Sequence, residues 1–398
     1  MEEHPEARFI VETISKAGFS AYYAGGWVRD YLLQHPSDDI DIATNAPPET
    51  IQALFEKTVP LGIAFGIVLV IVDGKDYEVA TFRQDFDYRD GRRPTKVEFS
   101  TAEEDAKRRD FTINGMFFDP ITNRVLDFVG GQEDLKKGII RAIGDPHTRI
   151  QEDRLRMIRA IRMSCRFSFP IDPSTQAAIR AHASELFPAV AIERVVQELE
   201  KGHAFDKLPQ MLLCLHEYDL LAQIFPALLH VSLEELKHRL SHLVLVPHEA
   251  PLIAFLLPLF PHFHLQDAIA LCKRLKLSNE QVRFAVRMDQ AKRLIAGHPS
   301  LWEWAHFYAL DDSLSVLQSI GAKMEEHEIR RDQLNAAIRR IRDNQPLVSS
   351  ADLQQMGISP GKEMGRLLKE AEQISINEGI ESKDQLLKRL LNGHKKER

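Results

Sequence analysis

Cysteine is scarce in this 398-residue chain, with only Cys165, Cys214 and Cys272. They are odd in number, far apart and without a C-x-x-C pair. That excludes a disulfide framework and fits reduced, buried thiols in a cytoplasmic protein. Long apolar runs are missing too. The longest, over 252–260, is interrupted by Pro258, so no segment is expected to span a membrane. The acidic, polar start does not look like a signal peptide. Sixteen histidines form no metal set; His262 and His264 flank Phe263 in a Pro-containing apolar stretch, where a structural role is expected. Positive charge is not in excess either. A net charge of −7 counts mildly against a nucleic-acid partner, because phosphate neutralisation dominates such binding.

What is present is the composition of an ordinary soluble protein, 44% hydrophobic and 27% charged. The length is too great for one core, so two to four domains are expected. Basic residues are concentrated in strips, at 154–166, 330–331, 339–342 and 388–398, and such strips can bind RNA even in an acidic chain. Periodicity predicts a helix over 5–17, strands over 21–24, 39–43, 67–72 and 77–82, and a helix over 48–55. Residues 83–94, polar and of mixed charge, read as a mobile loop. Ser100-x-x-Glu103 has the form of a capping box. After Gly144-Asp145-Pro146 the strand pattern stops, and apolar residues recur at three and four to the end. The fold class is therefore α+β, a small sheet with helices followed by an all-helical region.

The chemistry concentrates in Ser37-Asp38-Asp39-Ile40-Asp41-Ile42-Ala43, about a dozen residues after Gly25-Gly26-Trp27-Val28-Arg29-Asp30. Strand side chains alternate, so Asp39 and Asp41 share one face while Ile40 and Ile42 enter the core. Paired carboxylates repel unless a cation lies between them, and Mg²⁺ takes carboxylate oxygens together with substrate phosphates. A Gly-Gly turn lets backbone N–H groups approach a phosphate closely. The set reads as a site for a metal-bound triphosphate, although a bare D-x-D is more often a solvated surface pair.

This arrangement resembles the nucleotidyltransferase superfamily that includes DNA polymerase beta. It is most similar to the bacterial class II tRNA nucleotidyltransferases and poly(A) polymerases. Four further segments resemble that family in order: Arg108-Arg109-Asp110-Phe111-Thr112-Ile113-Asn114, Leu126-Asp127-Phe128-Val129-Gly130-Gly131, Glu152-Asp153-Arg154-Leu155-Arg156-Met157-Ile158-Arg159-Ala160-Ile161-Arg162, and Glu193-Arg194-Val195-Val196-Gln197-Glu198. Gly357-Ile358-Ser359-Pro360-Gly361 is a weaker match to the family's tail, where a helix start could take an RNA phosphate or simply be capped. Trp27, in place of a small residue, and Gly115, in place of Ala, are the departures.

The resemblance implies a catalytic head at 1–145, a base-selecting neck at 146–205, a body at 206–315 and a tRNA-binding tail at 316–398. Asp39 and Asp41 would be the catalytic, metal-holding pair for Mg²⁺. A third carboxylate is usual there; Glu78 in Tyr77-Glu78-Val79 and Glu98 in Val97-Glu98-Phe99 both have its form. Glu78 is the better candidate, and an ordinary strand glutamate is an equal reading. Gly26 and Arg29 would hold the triphosphate, although Arg29 could instead pair with Asp30 or Asp38. Arg109 is the nucleotide-contacting member of its pair, and Arg108 could be merely solvated. Asn114 and Glu152 are assigned supporting roles.

On the helix expected from Glu152, Asp153, Arg156, Arg159 and Arg162 step by three along one face, opposite Leu155, Ile158 and Ile161. A basic solvated stripe is the plain reading. An acid at its head suggests more, because cytosine and adenine both offer an amino donor beside a ring-nitrogen acceptor. Asp153 would accept from the amino group and Arg156 donate to the ring nitrogen. Uracil and guanine present the reverse pattern, and lost buried polar contacts cost about 1–3 kcal/mol each. Arg159 and Arg162 would face phosphates or the RNA end, and Arg194 with Glu198 (i, i+4) is expected to be an intrahelical ion pair.

The expected activity is addition of CCA to tRNA 3′ ends from CTP and ATP. The alternatives are an enzyme adding only the terminal A, a poly(A) polymerase, or a catalytically dead RNA-binding protein. The poly(A) branch tends to carry a basic Gly-Arg/Lys-Arg/Lys-Phe element, and Pro60-Leu61-Gly62-Ile63-Ala64-Phe65-Gly66 lacks it. CC-adding relatives lack the 83–94 segment, and a dead protein would be expected to lose Asp39 or Asp41.

Overall fold

The computed structural model describes residues 4–35, 37–62, 66–88 and 94–394. Residues 89–93 of the expected loop, 63–65 of the 60–66 segment and the terminal 395–398 lie outside them. The chain divides into two compact units, one ending at Leu233 and one beginning at Glu234.

The first unit opens with α1 (Pro5–Lys16), which buries Ala7, Ile10, Val11 and Ile14, the three-and-four spacing of a half-buried helix. There follow β1 (Ala21–Ala24), α2 (Gly26–Leu32), β2 (Asp41–Thr44), α3 (Pro48–Leu54), β3 (Thr58–Gly62), β4 (Ile67–Val72), β5 (Lys75–Thr81), β6 (Arg83–Tyr88) and β7 (Pro94–Phe99). After them come α4 (Ala102–Lys107), β8 (Met116–Asp119), β9 (Arg124–Asp127) and α5 (Gly131–Lys137). Seven strands form a mixed sheet in the order β3-β4-β5-β2-β1-β8-β9, in which β2 and β5 run parallel. Trp27 is 6% exposed and stacks on Tyr31 with centroids 5.0 Å apart, so it is a core residue. A Cβ on Gly115 would come 2.7 Å from Val129 Cγ2, which explains why Ala is absent there.

Three local expectations change. Residues 83–88 and 94–99 are paired strands, β6 and β7, forming a separate two-stranded sheet with Arg83 opposite Phe99 and Tyr88 opposite Pro94. Polar, charge-mixed composition hid this hairpin, because its backbone pairing needs no apolar alternation. Glu98 lies on that separate sheet, which leaves Glu78 as the candidate on the strand beside Asp41. Helix α4 is capped by Thr101, whose hydroxyl accepts from Glu104 N at 3.3 Å, one residue beyond the expected Ser100. Ser100 N instead donates to Phe82 O.

The unit continues as helices α6 (Pro146–Glu152), α7 (Leu155–Phe167), α8 (Pro173–His182), α9 (Leu186–Ala189), α10 (Ile192–Ala204), α11 (Leu208–Glu217) and α12 (Leu220–Ile224). The helix expected to run on from Glu152 is two helices. Asp153, at φ −149° and ψ 102°, ends α6 and breaks the path before α7. Leu155, Ile158 and Ile161 are buried as expected. Cys165 and Cys214 are free thiols with their sulfurs 3.8 Å apart.

Among the described residues, the regular elements of the second unit are all helices. His264 caps the helix Leu265–Arg274 in a reciprocal box with Asp267, the structural role expected for it. The helix Lys362–Glu378 starts behind Gly361 and packs Leu367 with Leu353, Leu386 and Leu390. No helix of the described residues is long and apolar enough to cross a membrane.

Candidate active site

A cleft of about 590 Å³ opens in the first unit between the sheet and α7. Its lining brings together Gly26, Arg29, Asp39, Asp41, Arg109, Asn114, Asp153, Arg156, Arg159, Arg162 and Arg194 from five separate sequence segments. It also includes Gly25, Arg108, Asp110, Met163, Arg166, Lys201 and Phe205. Nine of these residues carry a cationic group and four a carboxylate, so an acidic protein presents a basic cleft suited to polyphosphate and RNA.

At its floor, Asp39 and Asp41 are exposed while Ile40 and Ile42 are buried, the alternation anticipated from sequence. Regular strand pairing begins only at Asp41. Neither carboxylate has a hydrogen-bond or ion-pair partner among the described residues. Solvent reaches Asp41, yet the surrounding protein partly desolvates its carboxyl. That burial, with Asp39 and Glu78 adding like charge against the opposing Arg109, pushes it up to about 6. Glu78 stands on β5, which pairs in parallel with β2 through Ile42 and Val79, but it is not part of the cleft lining. No group of three or more His, Cys, Asp or Glu is gathered for a metal among the described residues. Two unpaired carboxylates with an all-oxygen donor set still fit a hard divalent cation, which typically binds one or two carboxylates plus substrate phosphates.

Gly25 rather than Gly26 is the conformationally demanding glycine. Its φ is +66°, and a Cβ there would lie 2.8 Å from Arg109 Nη1. Arg109 is fixed by Asp105, 1% exposed, whose Oδ2 accepts from Nε at 3.2 Å and from Nη2 at 3.1 Å. Arg108 is not merely solvated. It donates to Asp105 Oδ1 at 2.6 and 2.8 Å and to Arg83 O at 3.1 Å. Burial raises the Asp105 carboxyl, and the two arginines reverse this to leave it below its usual range. Asp105 escaped the sequence reading because nothing distinguishes it from Glu103 and Glu104 on a short acidic helix start.

Arg29 takes the Asp30 partnership left open by the sequence. It is 3% exposed, bonds Asp30 Oδ1 at 2.9 Å and Asn114 Oδ1 at 2.5 Å, and lies 4.7 Å from the centre of the Phe167 ring. Burial pulls its guanidinium down to about 10, against the favourable Asp30 charge. Asn114 passes the connection on through Nδ2 to Asp110 Oδ1 at 3.0 Å. Asp110 Oδ2 then holds Arg159 at 2.6 Å. Burial pushes the Asp110 carboxyl up, but Arg159 and Asn114 together leave it far below the carboxylate range.

The neck pairings differ from the expected intrahelical pair. Arg194 reaches across to Asp153, Nη1 to Oδ1 at 3.0 Å and Nη2 to Oδ2 at 2.7 Å. Glu198, 2% exposed, takes Arg162 through Oε2 and Arg159 through Oε1 at 3.5 Å. Side-chain ion pairs along one helix gain only tenths of a kcal/mol, whereas Glu198 on α10 neutralises Arg162, which is buried on α7. Arg162 is accordingly only 6% exposed and held by protein, and Arg159 is likewise braced by two carboxylates. Arg156 donates to Glu152 Oε2 at 2.8 Å, to Arg149 O at 3.0 Å and to Arg108 O at 3.0 Å. That leaves its Nε–H and one Nη2–H without a partner among the described residues.

The segment 21–141 matches the model described as the poly A polymerase head domain. Residues 168–231 match the model described as the probable RNA and SrmB-binding site of polymerase A. The chain is 40% identical to the CCA-adding enzyme of Anoxybacillus flavithermus over 71% of this chain and 69% of that one. It is 33% identical to the CCA-adding enzyme of Enterococcus faecalis over 97% and 95%. The crystal structure of the Bacillus stearothermophilus CCA-adding enzyme in complex with CTP superposes with a TM-score of 0.79 at 28% identity, covering 99% of this chain and all of the other. With relatives at a third identity or more along nearly the whole length, and a matching fold from head to end, the chain belongs to the CCA-adding enzyme family.

Proposed function

We propose that this chain adds C, C and A to the 3′ end of tRNA from CTP and ATP, with side chains in place of a nucleic-acid template. The observation that carries this is one cleft lined by both the unpaired Asp39 and Asp41 and the Asp153–Arg156 pair. The family of nucleotidyltransferases uses divalent metal ions, and we assign Mg²⁺ to Asp39 and Asp41, with Glu78 as the candidate third carboxylate. Such an ion, when bound, activates the attacking hydroxyl and offsets charge on the leaving pyrophosphate. Arg109, steadied by Asp105, and the backbone at Gly26 are positioned for phosphate oxygens; Arg29 acts from behind, fixing Asp30 and Asn114.

Base selection falls to Asp153 and Arg156. Leu155 N and Arg194 occupy Asp153 Oδ1, and Arg194 takes one site on Oδ2, so Oδ2 retains one lone pair for an amino group. Arg156 offers its free N–H groups to the neighbouring ring nitrogen. Cytosine and adenine satisfy both; uracil and guanine leave both unpaired. Arg159 and Arg162, tied to Asp110 and Glu198, hold the helix in place and add positive potential for phosphates.

On this reading 1–145 is the catalytic head, 146–205 the base-selecting neck, and 206–315 and 316–398 the body and tRNA-binding tail. Three free cysteines support a cytoplasmic setting. The test uses three tRNAs, lacking CCA, ending in the first C and ending in CC, each incubated with each NTP singly and sequenced. Full CCA synthesis requires C added to the first two and A to the third. Extension of the third alone would mark an enzyme adding only the terminal A, and continued A addition a poly(A) polymerase.

A further inference from the structure

Phe205 follows the last turn of α10 and is 40% exposed on the cleft wall, although large aromatic side chains are ordinarily mostly buried. The Arg166 guanidinium covers one side of its ring at 4.0 Å from the centroid. The same guanidinium lies 4.7 Å from the Phe167 ring and holds Asp30 at 3.1 Å. The ring therefore has a fixed cationic backing. Lys201, one turn earlier on α10, has a side chain 55% exposed and, among the described residues, only a distant ion-pair contact, 3.8 Å, with Glu198.

Arg156 and Arg166 stand at opposite ends of α7, about 15 Å apart at the rise of a helix. A base read by Asp153 and Arg156 does not also lie on Phe205, so the second position belongs to another nucleotide. We propose that Phe205, backed by Arg166, is a stacking platform for an unpaired base at the 3′ end of the RNA primer, with Lys201 taking a phosphate of that strand. Stacking on an aromatic face suits any base, as an acceptor end that changes with each addition requires. Both residues fall within the 168–231 segment matched by the RNA-binding model. The proposal rests on the reading of the chain as a tRNA-extending enzyme.

The test is a tRNA lacking CCA with 2-aminopurine as its last base, bound to the full chain without nucleotide. The wild type is expected to quench the fluorescence on binding, Phe205→Ala to quench far less, and Phe205→Trp to restore it. In steady state Phe205→Ala raises KM for tRNA about ten- to a hundredfold and leaves KM for CTP and ATP near the wild-type values. Phe205→Leu keeps apolar bulk against Arg166 without an aromatic face and should behave like Ala, with melting curves confirming that each variant folds. Equal quenching by wild type and Phe205→Ala, a wild-type-like Leu variant, or a rise confined to the nucleotide KM overturns the platform. Failure of the wild type to bind or extend tRNA would overturn the function beneath it.

Discussion

Arg194 grips both carboxylate oxygens of Asp153 from the neighbouring helix, at 3.0 and 2.7 Å, while Leu155 N takes a further site on Oδ1 at 3.1 Å. A carboxylate held by a bidentate guanidinium has a set orientation as well as a set charge. Asp153 lies in the break between α6 and α7, where its backbone bonds Arg149 O and Arg156 N but its side chain takes its orientation from Arg194 and Leu155 N. Arg194→Ala is therefore expected to lower kcat/KM for CTP and ATP about tenfold or more, the value of a charge-assisted hydrogen bond. Combined with Asp153→Ala, the two losses should be strongly non-additive, since they act on one element. Additive losses in the double-mutant cycle would mean that Arg194 does not work through Asp153.

Glu198 neutralises two arginines from a site 2% exposed. Its replacement by Ala leaves Arg162 buried and unpaired, which costs about 3–5 kcal/mol. The first check is a denaturant melt of the full chain. A loss of only a few tenths of a kcal/mol is what a surface pair along one helix would give, and would remove Glu198 from its bracing role.

Asp39→Ala and Asp41→Ala are each expected to abolish C addition and A addition alike, because one metal site serves every step, while tRNA binding persists. Gel-shift and extension assays on the same variant preparations separate the two effects. A variant that still adds C at a comparable rate would take its residue out of the metal site.

The β6–β7 hairpin stands on its own two-stranded sheet. Replacing residues 84–98 by a short turn is expected to reduce A addition more than C addition, as follows if the hairpin adjusts the pocket for the larger purine. Single-nucleotide extension of tRNA ending in CC, compared with tRNA lacking CCA, reads the ratio. Equal losses would make the hairpin a general structural part.

Much of the catalytic floor could be read from residues alone. Alternation of Ile40 and Ile42 with Asp39 and Asp41 is a local signal, and the fold kept it. The stripe on α7 was equally visible, since Leu155, Ile158 and Ile161 define its buried side. What escaped were relations at long sequence separation. Arg194 and Glu198 look like an i, i+4 pair, yet each finds its partner about forty residues away, Arg194 at the helix break that Asp153 itself creates and Glu198 on α7. Asp105 and Phe205 carry no motif; their roles come from where α4 and α10 set them down. The hairpin was missed for the converse reason, because its polar strands pair through backbone groups that composition does not display.

If Asp153 and Arg156 read the base edge, the ranking of all four NTPs by relative kcat/KM on one primer tRNA depends on them, and a melting curve of each variant separates that effect from a loss of fold. Removing the acceptor in Asp153→Ala takes away the reward for an amino group and the penalty for a carbonyl. UTP and GTP should then gain on CTP and ATP by about ten- to a hundredfold, the worth of one such discriminating pair. A variant that is destabilised, yet ranks CTP and ATP as far above UTP and GTP as the wild type does, would show that Asp153 does not read the base and leave it as a structural link between α6, α7 and Arg194.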